Sequence, residues 1–314
     1  MAVPETIRAV VIKEVGVAPV TGILTPKLEN DEVLVQVKAV AQNPTDWKHR
    51  DGFANPGTIL GCDFSGIVAV GSSVTTFVKV GDQVAGFVQG GHFKDRGAFA
   101  EYFRTLADLV WVVPEGTLSD ELAATLGCGF WTAVQPLFHP TKLGPTEPPA
   151  KVEGEKWLLL DCLRFNSLLR RDIKSLLSPL GATVVFDYKP PDVLDQILVA
   201  TTPTVKAFSP KGKDKVVTIL GPKDETAAYN PSVTIQPAFI YTYLGREFNF
   251  GEVFPLSKED RDHVAAFLTK VPELVKSAAI KPNRVKLWEG GLDGIEGRFG
   301  VYERRKTQYG ETCS

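Results

Sequence analysis

The sequence predicts an α/β protein in two parts, a β-barrel or sandwich followed by a doubly wound parallel sheet. Three observations carry this. Through about residue 115, short runs of branched and aromatic residues are punctuated by Gly, Asn and Pro, the rhythm of closely spaced strands. After Pro114, buried-type strands alternate with amphipathic helices, and such crossovers bring parallel strands together. At 314 residues the chain has room for two domains, at about 100–200 residues each.

In the first part the expected strands are Arg8–Lys13, Glu32–Ala39, Gly66–Val70, Asp82–Phe87, Glu101–Arg104 and Leu109–Val113. Turn residues separate them, among them Asn30-Asp31, Gly71-Ser72, Gly81-Asp82 and Gly90-Gly91. One helix interrupts at Asn43-Pro44-Thr45-Asp46-Trp47-Lys48, with proline early and an acid in the first turn. Ser119 caps the next helix, with Glu121 close behind, and the helical pattern runs on through Gly127-Cys128-Gly129-Phe130-Trp131-Thr132-Ala133. Pro140–Pro149 reads as a loop. Lys156–Asp161, Val184–Phe186 and Val216–Leu220 are expected strands, and Ser167–Leu177 an amphipathic helix. Ser257–Ala279 is helical with a break at Pro272, Val285–Trp288 is an expected strand, and Leu292–Glu303 an expected final helix.

Composition excludes several functions. With 35 basic and 37 acidic residues the net charge is -2, which offers nothing to nucleic acid or an anionic membrane. The N-terminal stretch lacks the layout of a signal peptide, and no apolar run reaches the roughly 18 residues of a membrane span. Cys62, Cys128, Cys162 and Cys313 form no C-x-x-C pair, so free thiols in a reducing cytoplasm are expected, without a disulfide framework. The four histidines (His49, His92, His139 and His263) are expected to be ordinary core or surface residues.

A family resemblance rests on Glu32–Ala41, Asn43–Lys48, Gly61-Cys62-Asp63-Phe64-Ser65-Gly66 with Val68 and Val70-Gly71, Gly81–Gly86, and Gly97-Ala98-Phe99-Ala100-Glu101-Tyr102. These stretches resemble the medium-chain dehydrogenase/reductase superfamily. Leu137-Phe138, Val185-Phe186-Asp187-Tyr188, Val216–Leu220 and Gly290–Ile295 are further similar to its trans-acting enoyl reductases of fungal polyketide pathways. The resemblance covers nearly the whole chain. It implies a GroES-like β-barrel for substrate, residues 1–115 and 281–314, and a reduced Rossmann-like domain for NADP(H), residues 116–280. Zinc-dependent members carry histidine and glutamate where Cys62-Asp63 stands, so the resemblance is to the zinc-free branch.

The activity this resemblance implies is reduction of an enoyl thioester presented by a partner polyketide synthase, by a cytoplasmic monomer. Catalysis would fall to Lys48 and Thr132. Thr45, Asp46, Trp47, Lys48, Tyr188, Ile219 and Leu220 would contact the cofactor, and Gly129, Phe130, Trp131 and Thr132 would line the substrate pocket. A cation such as Lys48 holds a phosphate or polarises an oxygen on which charge develops. The plainer alternatives are a solvated lysine at a helix end and aromatics buried in a core.

Three losses qualify the resemblance. A dinucleotide fold grips pyrophosphate with a glycine-rich turn after its first strand. Here the expected strand Trp157–Asp161 leads into Cys162-Leu163-Arg164-Phe165-Asn166, and no glycine occurs between Gly154 and Gly181. A strand and helix are missing before Val216, and the C-terminal end at Ser314 leaves out a closing strand. Two other functions therefore stay open, a cofactor-free cyclase or isomerase acting on a polyketide and an inactive relative serving as a scaffold.

Overall fold

The computed structural model of the chain describes residues 2–53, 55–71, 78–144, 147–150, 215–218 and 234–299. It forms two compact units, Met1–Pro149 with Pro237–Ser314, and Ala150–Gln236.

The first unit is organised by a five-stranded antiparallel sheet. Its strands are β3 (Glu32–Ala41), β4 (Asp63–Val70), β5 (Gln83–Phe87), β6 (Tyr102–Leu106) and β7 (Val110–Val112), in the order β6-β3-β4-β5-β7. β3 is paired on both sides, with Gln36 opposite both Ile67 of β4 and Tyr102 of β6. Register shifts at Leu34/Val35 and Val37/Ala39 mark bulges, which bend a strand and raise its twist. Val33, Val35, Phe64, Val68, Val84 and Phe103 fill one face. Leu34 turns the other way, toward Ile7, Ala9 and Tyr102. Gly66 is required where β4 crosses β3, because a Cβ there would lie 2.2 Å from the Gln36 carbonyl oxygen.

A separate antiparallel pair, β1 (Thr6–Val10) and β2 (Val20–Leu24), precedes this sheet. The helices of the unit are α1 (Pro44–Asp51), α2 (Asp120–Ala123), α3 (Cys128–Phe138), α4 (Lys258–Leu268) and α5 (Val271–Lys276). Ser119 Oγ accepts the Leu122 N–H at the head of α2, and Ser257 Oγ accepts the Asp260 N–H at the head of α4. Pro272 sits in the first turn of α5, where its missing N–H costs nothing. The largest core joins sheet and helices through Phe87, Trp111, Trp131, Tyr243 and Phe267, all fully buried. Each such ring contributes about 1.5–3 kcal/mol on leaving water. The short strands β10 (Phe248–Asn249) and β11 (Val253–Phe254) pair beside it.

In the second unit the described residues include β8 (Lys215–Thr218), which pairs with β9 (Thr234–Pro237). β8 answers to the expected strand Val216–Leu220. The expected elements Lys156–Asp161, Ser167–Leu177 and Val184–Phe186 lie outside the described residues, as does the glycine-free stretch 155–180.

Three details differ from expectation. β2 was not foreseen, because Val20-Thr21-Gly22-Ile23-Leu24 has a glycine at its centre and largely exposed residues. The expected strand Val285–Trp288 is not one. Its Leu287 is 70% exposed, and the Trp288 ring has Lys286 Nζ 4.3 Å and Arg298 Cζ 4.1 Å from its centroid. Cations on the ring, not a neighbouring strand, partner that segment. The expected helix from Leu292 begins as a 3₁₀ turn, Gly291–Gly294, and is helical over 295–299, its remainder lying outside the described residues.

Candidate active site

The site residues grow out of the start of α1. Asn43 is extended, Pro44 opens the helix, and the Asp46 carboxylate accepts the Asn43 backbone N–H at 2.6 Å. Acids at this position of a helix satisfy an otherwise orphaned donor. Thr45 Oγ1 lies 2.6 Å from the Tyr241 hydroxyl and 3.1 Å from His49 Nδ1. His49 Nδ1 also lies 2.7 Å from the Thr45 carbonyl oxygen, which can only accept, so the imidazole carries its proton on Nδ1. Burial among Phe53, Tyr241 and Phe250 pushes the His49 pKa down, which favours the neutral ring.

Behind α1 stands a pair of buried carboxyl groups. Asp46 is 1% exposed and Asp63, at the start of β4, is 2% exposed. Burial raises Asp46 to about 7, with the Asn43 N–H opposing. Burial raises Asp63 to about 8, opposed by its hydrogen bonds and reinforced by the charge of Asp46. Asp63 Oδ1 accepts the Cys128 N–H at 2.5 Å in the first turn of α3. This contact exists because residue 127 is glycine, since a Cβ there would lie 2.3 Å from the same Oδ1. Burial also pushes the Cys62 and Cys128 thiols and the Tyr241 phenol well above their ordinary values. At neutral pH the thiols, the phenol and most of Asp63 in this cluster are uncharged, and Asp46 is partly ionised.

The predicted residues fall into three groups. Thr45 and Asp46 join the cluster directly, and Thr132, half-buried, reaches it through a side-chain hydrogen bond with Cys128. Lys48 is exposed on α1, its Nζ 5.9 Å from the half-buried Trp47 ring, and Gly129 is exposed with nothing within 4 Å of where a Cβ would stand. Phe130 and Trp131 turn inward. Phe130 packs on Phe267 at 6.1 Å, and Trp131 is wholly buried between Phe87 and Tyr243 at 5.3 and 6.0 Å. Tyr188, Ile219 and Leu220 lie outside the described residues. Sequence reasoning missed Tyr241, although the aromatic run from Phe239 to Tyr243 was a visible signal. Among the described residues no group of three or more His, Cys, Asp and Glu is arranged to hold a metal ion.

Residues 29–115 match the alcohol dehydrogenase GroES-like domain. A solved alcohol dehydrogenase superfamily protein from Novosphingobium aromaticivorans superposes with a TM-score of 0.66 at 21% identity, covering 98% of this chain and 96% of that one. The Escherichia coli quinone oxidoreductase complexed with NADPH superposes with a TM-score of 0.56 at 14% identity, covering 96% and 97%. These likenesses show an α/β fold that contains a GroES-like domain. A trans-enoyl reductase of Aspergillus sclerotiorum is 32% identical over 330 residues, covering 90% of this chain and 92% of its own. The chain therefore belongs to the medium-chain dehydrogenase/reductase superfamily, close to the trans-enoyl reductases, and is by lineage an oxidoreductase of the enoyl reductase type.

Proposed function

We propose that this protein reduces the carbon–carbon double bond of an enoyl thioester carried by a partner polyketide synthase, as a cytoplasmic monomer using NADPH. The observation that carries the proposal is kinship with a trans-enoyl reductase across nine-tenths of both chains. Features among the described residues support this reading. An exposed ammonium at Lys48, a hydroxyl at Thr132 and open space over Gly129 are the groups available. When bound, NADPH supplies the hydride. Lys48 offers positive charge to a cofactor phosphate or to the thioester oxygen, where negative charge develops during reduction. The Thr132 hydroxyl, steadied by Cys128, orients a carbonyl or carboxamide. Burial weakens the opposition from the nearby acids, since Asp63 stays largely in its neutral form near pH 7 and Asp46 is only partly ionised.

A titration of NADPH into the purified chain, followed by nicotinamide fluorescence, tests this reading. Micromolar binding, with NADPH consumed on adding a crotonyl thioester, is the expected result. A folded protein that binds no NADPH overturns it. That outcome would favour the second reading, cofactor-free cyclisation or isomerisation of a polyketide, which the glycine-free stretch from 155 to 180 supports.

A further inference from the structure

Away from α1, the first unit contains a small, partly open cavity of about 20 Å³. Gln89, Phe93, Arg96, Thr105, Leu244 and Arg246 are among its lining residues. That space holds one or two water-sized groups.

The charges around it do not close on themselves. Arg96 pairs with Glu32, both buried, at 6% and 1% exposure. Arg104 takes the other Glu32 oxygen at 3.1 Å, together with Asp95 and the exposed Glu29. The acids nearby are thus already engaged. Arg246 has no carboxylate within ion-pair reach among the described residues, and its guanidinium stacks on Phe93 at 4.9 Å. Arg96 Nε has no hydrogen-bond acceptor, its nearest carboxylate oxygen being Asp95 Oδ1 at 3.7 Å. Burial, and then the charge of Arg96, lowers the Arg246 pKa to about 10, against the opposing charges of Asp95 and Glu32.

Gln89 is the second, independent sign. It is 1% exposed, yet neither its amide nitrogen nor its amide oxygen has a partner. Buried amides in native proteins are seldom left so. We propose that this cavity binds a carboxylate group, with Arg246 supplying the charge and Gln89 a neutral donor. A guanidinium fork matches the two oxygens of a carboxylate, and the Gln89 carbonyl can accept an N–H that aligns the fork. The carboxylate belongs either to a free short acid or to the end of a longer acyl chain.

Calorimetric titration of the full chain at low salt, with acetate, hexanoate, acetamide and inorganic phosphate, decides the matter. Saturable one-to-one binding of acetate is expected, with no binding of acetamide and phosphate weaker by about tenfold or more. Hexanoate binding tighter than acetate identifies an acyl chain, and equal affinities identify a free short acid. Arg246→Gln should weaken acetate about tenfold or more, and Gln89→Leu about threefold or more, with unfolding midpoints near that of the unaltered protein. Absence of saturable acetate binding overturns the proposal. So does acetamide binding as well as acetate, or acetate affinity unchanged in both variants.

Discussion

Thr45 Oγ1 and the Tyr241 hydroxyl stand 2.6 Å apart, joining the first turn of α1 to a 3₁₀ turn 196 residues further along the chain. Both residues are largely removed from water, so this bond carries more weight than one at the surface. Tyr241→Phe deletes the phenol but leaves Thr45 its contact with His49, and should cost about 1 kcal/mol. Thr45→Val strands the buried phenol as well, and should cost more, about 1–3 kcal/mol. Urea denaturation of the two variants measures the difference. Equal stability of Thr45→Val and the unaltered protein would show that the bond does not form in solution.

The carboxyl pair makes stability depend on pH with a definite sign. Asp46 at about 7 and Asp63 at about 8 lie above the 3.8 of an ordinary aspartate, so the folded chain holds protons that the unfolded chain has lost. Their favourable contribution is complete below the unfolded value and is lost as pH rises through 7 and 8. His49 and His263, whose values burial lowers, act in the opposite direction, mainly below pH 6.5. Between pH 6.5 and 8 the unfolding free energy should therefore fall, by on the order of 1 kcal/mol per pH unit. Asp63→Asn keeps an acceptor for the Cys128 N–H and should flatten that slope. A slope unchanged in Asp63→Asn would place the titration elsewhere.

Gly127→Ala tests how the site is assembled. The new methyl would press on the Asp63 carboxylate and on the Gly86 carbonyl oxygen, 2.8 Å from the Cβ position. Either Asp63 leaves the Cys128 N–H or the head of α3 shifts. A loss of about 2–4 kcal/mol, seen as a lower thermal midpoint, is expected. The carboxyl titration near pH 8 should move as well, which a general packing defect would not require.

Lys48→Ala is the converse case. The side chain is exposed, and removing it should leave the thermal midpoint within about a degree or two, as surface changes do. On a crotonyl thioester, kcat/KM should fall by about a hundredfold or more if Lys48 stabilises developing charge. Thr132→Ala should lower it by about tenfold, through lost orientation. Steady-state kinetics of both variants with unchanged turnover would remove these two residues from the site.

Much of this architecture was legible from periodicity. The expected strand Glu32–Ala39 is observed as Glu32–Ala41, and Asp82–Phe87 as Gln83–Phe87, because alternating branched residues between glycine turns leave few other conformations. The helix of Asn43–Lys48 was marked by its own proline and acid. What escaped was long-range. Nothing local in Tyr241 announces that it meets Thr45, and nothing local in Gln89 announces that its amide is buried unpaired. Trp131 shows the reverse, since an aromatic helix face suits a pocket or a core and only the packing of Phe87 and Tyr243 on it decides. Val285–Trp288 has the residues of a strand and lacks only a partner, which composition cannot supply.

The position of β3 between β4 and β6 also sets an order of events as the chain leaves the ribosome. β4 follows β3 by some twenty residues and can pair with it early, whereas the partner of Gln36 on the other side is Tyr102. Until Tyr102–Leu106 emerges, one flank of β3 presents open N–H and C=O groups backed by Val33 and Val35, a template for any stray strand. A pause in translation between Val70 and Tyr102 would prolong that exposure.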